Sequence, residues 1–397
     1  MTTTINNEHK KLNVPNLRFP EFQGEWKKCK LEELSNKITR KNKGNAIQNV
    51  LSNSATLGLI PQNEYFDREI ANSNNTDSYY VIEYGDFVYN PRKSVSAPYG
   101  PVNIYTGNIK GIISPLYLCF SVHSILPSFL YYRFKSPAWF PYVYSHGDMG
   151  TRFDRVSIKD DVFFGMPIYM PSQKEQKKIS HLMSLLDKRI ATQNKIIEDL
   201  KKLKCAIIEK LYYKIQGKEY LYRQLFDVVN ERNKQMEYSN ILSASQEKGM
   251  VNRDDLNLDI QFERNNINTY KIVREGDYVI HLRSFQGGFA FSDKLGVCSP
   301  AYTILRPNSL LEYGYMSFYF TSQRFIKSLI IVTYGIRDGR SINVEEWLNM
   351  KIVVPSKEYQ LHTLNVLKSI DDKIVNEEMY ATCLSNQKQY LLHNMFI

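Results

Sequence analysis

The chain repeats itself at a period of roughly half its 397 residues, and a repeat that long decides architecture before any local pattern is read. Val50-Leu51-Ser52-Asn53-Ser54, followed by Gly58, returns at an offset of 191 as Ile241-Leu242-Ser243-Ala244-Ser245, followed by Gly249. At the same offset Gly85-Asp86-Phe87-Val88 returns as Gly276-Asp277-Tyr278-Val279, and Arg92 falls on Arg283. The offset is 185 for Gly111-Ile112-Ile113-Ser114-Pro115 with Tyr117 against Gly296-Val297-Cys298-Ser299-Pro300 with Tyr302. It is also 185 for Gly150-Thr151-Arg152 with Arg155 against Gly335-Ile336-Arg337 with Arg340. Pro171-Ser172, Gln176, Asp187 and Ile190 then match Pro355-Ser356, Gln360, Asp371 and Ile374 at an offset of 184. Five blocks in one order, with short length changes between them, mark a duplication.

Each half reads alike. Short β-rich runs such as Tyr79-Tyr80-Val81-Ile82 and Tyr278-Val279-Ile280 are punctuated by Gly, Asn and Pro at turn-like intervals. A helix then closes the half. Ser172 and Glu175 form the pattern of a capping box, the hydroxyl taking the N3 amide while Glu175 reaches back to the Ser172 amide. Apolar residues follow at Ile179, Leu182, Leu186, Ile190, Ile197, Leu200, Leu203, Ile207 and Leu211, a heptad-like stripe. The second helix carries Leu364, Leu367, Ile370, Ile374, Ala381, Leu384, Leu391 and Met395, and Tyr359 replaces the capping glutamate there. Two matched helices can pair as an antiparallel coiled coil. About 40 residues at 1.5 Å each would make a rod of roughly 60 Å, against about 34 Å for one turn of B-DNA. The expected fold is α+β with an internal pseudo-two-fold repeat: β-rich domains over 1–170 and 216–354, and spacer helices over 171–215 and 355–397.

Composition narrows the class. Apolar residues make up 43% and charged residues 23%, as in globular proteins. The formal charge of +10 attracts polyanions, and 28 Tyr with 20 Phe suit strand-rich domains and nucleic-acid surfaces. Between Lys174 and Lys214 there are 11 basic residues against five acidic ones, a pattern of a solvated helix exterior, a subunit interface or a DNA-facing edge. The five cysteines stand apart without a CxxC pair, which points to a reducing cytoplasm and away from disulfides or a zinc site. No apolar run approaches the ~18 residues of a membrane span, and no leader h-region opens the chain.

Val14-Pro15-Asn16-Leu17-Arg18-Phe19-Pro20-Glu21-Phe22 with Gly24-Glu25-Trp26 resembles the opening of Type I restriction–modification specificity subunits. Gly85-Asp86-Phe87-Val88-Tyr89-Asn90 resembles them too, as does Pro171-Ser172-Gln173-Lys174-Glu175-Gln176 leading to Leu186-Asp187. The resemblance spans essentially the whole chain. It implies two target recognition domains, each reading half of a split site on double-stranded DNA, and conserved helices on which two methyltransferase subunits dock. Two restriction/translocase subunits would complete the complex. S-adenosylmethionine, ATP and magnesium would be bound by those partners, leaving this chain without a cofactor or enzymatic activity of its own. The second half departs from the pattern at Tyr359-Gln360 and at His281-Leu282, which stands where the first half has Asn90-Pro91.

Catalytic motifs are missing from the sequence. Asn90-Pro91-Arg92 lacks the second proline and the aromatic residue of an amino-methyltransferase loop, and neither GxGxxG nor GxxxxGK[ST] occurs. The pairs Asp160-Asp161 and Asp371-Asp372 could serve a metal-dependent nuclease, but neighbouring side chains diverge, so turns and helix ends explain them better. A stand-alone DNA-binding regulator is the other alternative.

Base readers are sought among Arg, Asn and Gln on loops beside turn glycines. In the first half these are Asn90, Arg92, Lys93, Ser94, His146, Arg152 and Arg155; in the second, His281, Arg283, Ser284, Gln286, Arg337 and Arg340. Residues that read different bases should differ between halves. The paired arginines therefore point to phosphate contacts or bracing, and Asn90/His281 and Lys93/Ser284 to specificity.

Overall fold

A computed structural model describes residues 12–62, 76–148, 154–213, 215–245, 248–255, 264–281, 288–334 and 341–397. The chain forms two compact units, one of Met1–Thr192 with Tyr380–Ile397, the other of Gln193–Met379. Both are of the α+β class expected from the repeat.

In chain order the first half contains β1 (Lys27–Lys30), β2 (Ser35–Lys37), β3 (Leu51–Ser54), β4 (Gly58–Pro61), β5 (Tyr80–Ile82), β6 (Phe87–Tyr89), β7 (Val102–Ile104), β8 (Gly111–Ile113) and β9 (Leu118–Val122). Helices α1 (Pro127–Lys135), α2 (Phe140–His146) and α3 (Asp160–Phe164), strand β10 (Pro167–Met170) and the 41-residue helix α4 (Gln173–Tyr213) follow. The second half contains β11 (Lys218–Leu221), β12 (Phe226–Val229), β13 (Leu242–Ser245), β14 (Gly249–Asn252), β15 (Lys271–Val273), β16 (Tyr278–Ile280), β17 (Phe289–Phe291), β18 (Gly296–Cys298) and β19 (Thr303–Pro307). It ends with α5 (Tyr315–Phe320), α6 (Gln323–Ser328), β20 (Thr333–Tyr334), β21 (Ser341–Ile342), α7 (Val344–Leu348), β22 (Lys351–Val354) and the 38-residue helix α8 (Lys357–Asn394).

The duplication carries through to topology. Strand order β2-β9-β6-β7 in one sheet is repeated as β12-β19-β16-β17, and the two-stranded pairs β1-β10, β3-β4 and β5-β8 return as β11-β22, β13-β14 and β15-β18. The Gly-Asp blocks explain themselves here. Gly85 and Gly276 take φ of +91° and +93°, a conformation costly for any residue with a Cβ. The next aspartate closes the same turn in each, Asp86 accepting from the Glu83 amide at 2.7 Å and Asp277 from the Arg274 amide at 2.9 Å. Aromatic residues fill both cores. Phe87 stacks on Phe120 across β6 and β9, beside Phe134 and Phe163, whereas Phe289, Phe320 and Trp347 cluster in the second unit.

Each long helix gives one part to each unit, and within each unit the two run antiparallel. In the first, Lys388 pairs with Asp187, and the Arg189 guanidinium donates to the Tyr380 hydroxyl at 3.2 Å. In the second, Lys201 pairs with Glu378 at 2.7 Å and Lys204 with Asp371 at 2.5 Å. Ile179, Leu364, Leu367, Ile374 and Leu384 are buried, and Leu182, Leu186, Ile190, Ile197, Leu200, Ile207, Ile370 and Leu391 half-buried. Leu203, expected in the same stripe, is 50% exposed. Steps of three from Ile197 to Leu200 to Leu203 carry the position about 120° around the helix. Met183 and Ile208, absent from the expected stripe, are buried instead.

The capping box is only half made. Ser172 Oγ accepts from the Glu175 amide at 3.3 Å, but the Glu175 carboxylate, 1% exposed, turns away from the Ser172 amide. It takes two donors from Arg18 at 2.7 and 2.9 Å and one from Trp26 Nε1 at 3.3 Å. A bidentate, charge-assisted pair outweighs one neutral amide, so the opening motif captures the helix start. The Leu17 amide donates to Asn394 O at 2.9 Å, tying the same motif to the end of α8. Gln176 and Gln360 play one role twice. Each side-chain oxygen accepts a backbone amide at 2.8 Å, from Leu126 and Glu312, while the amide nitrogen donates to Pro171 O and Pro355 O.

Candidate nucleic-acid interface

Four of the first unit's candidate residues, Asn90, Arg92, Lys93 and Ser94, lie on the stretch between β6 and β7. Gly100 (φ +83°) closes that stretch, where a Cβ would collide with the Asn90 carbonyl. Asn90 Oδ1 accepts from the Arg92 amide at 3.0 Å, an Asx turn that presents Arg92, and Asn90 Nδ2 reaches Asn53 O at 3.4 Å. Arg92 forms a bridge with Arg155, and the Val156 amide donates to Pro91 O at 2.9 Å, while the Lys93 amide donates to Asp154 O at 2.8 Å. The two candidate arginines, far apart in sequence, thus stand together. Asp154 lies between them, 3.8 Å from Arg92 and 3.7 Å from Arg155. Two guanidinium groups against one carboxylate leave a net positive patch suited to phosphate.

Ser94 is exposed, and its Oγ accepts from the Ala97 amide at 3.1 Å within its own turn. His146 is at the end of α2, stacked on Tyr142 at 4.1 Å with Nδ1 against Tyr142 O at 2.9 Å, and so belongs to its helix. In the second unit the His281 amide donates to Gly288 O at 2.8 Å and its ring stands 5.0 Å from Tyr302. Arg152, Arg283, Ser284, Gln286, Arg337 and Arg340 lie outside the described residues.

Asp160 and Asp161 form the first turn of α3, with Asp160 paired to Lys37, and Asp371 pairs with Lys204. Among the described residues no group of three or more His, Cys, Asp or Glu is placed to hold a metal ion, and no helix is long and apolar enough to cross a membrane.

Sequence reasoning missed the support beneath the loop. Asn103 donates to Asn53 Oδ1 at 2.6 Å and Ser54 O at 2.8 Å, Asn53 donates to Val88 O at 2.9 Å, and Lys135 donates to Asn103 Oδ1 at 2.6 Å. Burial pushes the Lys135 ammonium down to about 8. Only the Val50–Ser54 block hinted at this, because Asn53 becomes Ala244 in its repeat.

No family model matches the chain, and no curated protein does. Solved structures do. A chain from a structure of the assembly and conformational transition of the type I R-M system is 14% identical, with a TM-score of 0.60 over 92% of this chain and 96% of that one. The HsdS subunit from Thermoanaerobacter tengcongensis is 15% identical, with a TM-score of 0.51 over 94% and 96%. The Type I restriction-modification S subunit from M. genitalium is 12% identical, with a TM-score of 0.51 over 97% and 99%. The chain shares their fold over more than nine-tenths of its length.

Proposed function

We propose that this chain is the specificity subunit of a Type I restriction–modification complex, reading a bipartite, asymmetric site on duplex DNA without bond chemistry of its own. The observation that carries this reading is one fold built twice, with different side chains on the same loop: Asn90-Pro91 in one unit and His281-Leu282 in the other. Two copies of one scaffold with unlike reading loops recognise two unlike half-sites. The fold likeness to S subunits supports the same role.

Arg92 and Arg155 position the first unit on phosphate, and Arg283 and Arg340 do so in the second. The helices α4 and α8, each contributing to both units, set the gap between half-sites and dock two methyltransferase subunits. Two restriction/translocase subunits join through these. S-adenosylmethionine, ATP and magnesium act on the partners, and the complex works on cytoplasmic DNA.

Methylated bases mapped genome-wide in cells expressing this chain with its methyltransferase test the proposal. The expected result is a split motif with two different half-sites and a fixed gap. A continuous motif, no chain-dependent methylation, or cleavage of DNA by the pure chain with magnesium would overturn it.

A further inference from the structure

Both units build one short turn, which in the first lies beside the candidate loop. It is Ser114-Pro115-Leu116-Tyr117 in the first and Ser299-Pro300-Ala301-Tyr302 in the second. Ser114 Oγ accepts from the Leu116 amide at 3.3 Å and Ser299 Oγ from the Ala301 amide at 3.4 Å. The serine carbonyls accept from the Tyr117 and Tyr302 amides, both at 3.1 Å. Proline restricts φ at the second position, so the turn is stiff. It lifts its third residue outward: Leu116 is 67% exposed and Ala301 is also exposed, while both tyrosines are half-buried.

An isolated exposed leucine is ordinary on a protein surface. This one differs in its setting. Serine, proline and tyrosine are the same in both turns and only the third residue changes. Leu116 also shares a cavity of about 230 Å³ with Asn53, Asn90, Arg92 and Arg155, so an apolar side chain faces the same open space as the candidate cations. In the second unit the contact of the His281 and Tyr302 rings joins the equivalent turn to the equivalent loop.

We infer that the third residue of this turn determines specificity, with Leu116 reading the 5-methyl edge of a thymine in one half-site and Ala301 taking the matching position in the other. The thymine methyl is the apolar feature of the major-groove base edges, and an apolar side chain is what recognises it. Arginines beside it supply phosphate or guanine contacts, so the turn adds information that charge and hydrogen bonding cannot. The inference rests on the proposed DNA-reading role and names one residue within it.

The test selects sequences from a randomised duplex DNA pool with the full-length chain and with its L116N and A301L variants. The unaltered chain should enrich a split motif. L116N should change the preference at one position of one half-site, and A301L at one position of the other. Replacing the thymine read by Leu116 with uracil, which removes only the methyl, should weaken binding of the unaltered chain about fourfold, the worth of one buried methyl group, and leave L116N indifferent. If the unaltered chain enriches no motif, the proposed function fails. If it enriches a split motif that L116N and A301L reproduce unchanged, or if uracil has no effect, the function stands and this inference is overturned.

Discussion

The two units share a backbone plan but fill the equivalent strand positions by opposite means. In the first, Asn53, Asn103 and Lys135 form a polar network under the loop that carries Arg92, closed by donors to Val88 O and Ser54 O. In the second, strand register puts Ala244 where Asn53 stands and Ala290 where Asn103 stands, both beside an apolar cluster of Leu242, Met250, Val279 and Ile304. Thr321 precedes the capping Ser322 as Lys135 precedes the capping Ser136, so the third member is lost too. The sheet tolerates either solution because side chains at these positions do not enter the ladder. What differs is the consequence of damage. A network must be wholly satisfied to be stable, whereas an apolar patch loses one contact at a time.

The sharpest contrast lies at the helix starts. Glu175 is buried against Arg18 and Trp26, while its counterpart Tyr359 only donates its hydroxyl to Leu211 O at 3.2 Å. R18A strands a buried carboxylate and should cost the first unit about 3–5 kcal/mol. Y359F removes one neutral hydrogen bond and should cost the second about 1 kcal/mol. Hydrogen exchange of amides in each unit of the full chain, followed in denaturant, measures both losses. Equal costs would erase the contrast.

A smaller effect tests the network itself. N103A leaves the Lys135 ammonium and the Asn53 carbonyl group short of partners and should destabilise the first unit by about 1–3 kcal/mol. N53A and N103A together reproduce the second unit's Ala244 and Ala290 and should cost less than the sum of the single changes. Additive losses in this double-mutant cycle would show that the asparagines act separately.

The fold was legible because duplication lets each half check the other. Gly85 and Gly276 recur where φ is positive, and Gln176 and Gln360 where a helix start must be pinned, so identity across the repeat reported backbone demands. The capping box was readable only in part. Its competitors, Arg18 and Trp26, lie 157 and 149 residues from Glu175, and local spacing holds no record of them. Arg92 and Arg155 stood out as candidates because both recur, and the structure brings them together. Asn53 and Asn103 escaped because a polar residue in a short strand reads as solvent-facing unless its burial is known. The Ser-Pro-x-Tyr turn was visible as a repeat, but its exposed third residue was not, since exposure depends on the fold.

The smallest effect concerns a pair of aspartates in the same turn. Asp277, 2% exposed, receives both arms of Arg306 at 2.9 Å, and that carboxylate holds the guanidinium well into its charged form. The first unit has Ser121 at the equivalent register, so Asp86 closes its turn without such a partner. Burial consequently pushes the Asp86 carboxyl above its usual range. Just above the ordinary carboxylate value, the folded unit keeps a proton that the unfolded chain has released. Stability of the first unit therefore falls as pH rises through that window and stays lower above it. S121R supplies the missing guanidinium and should raise the first unit's stability by about 1 kcal/mol at pH 7. Below the window Asp86 is protonated in both states, the pair cannot form, and the gain should vanish. Hydrogen exchange of the β6 and β9 amides at neutral and acidic pH reads this directly. A gain of the same size at both pH values would mean that the introduced guanidinium packs rather than pairs, and the difference between the two turns would not be electrostatic.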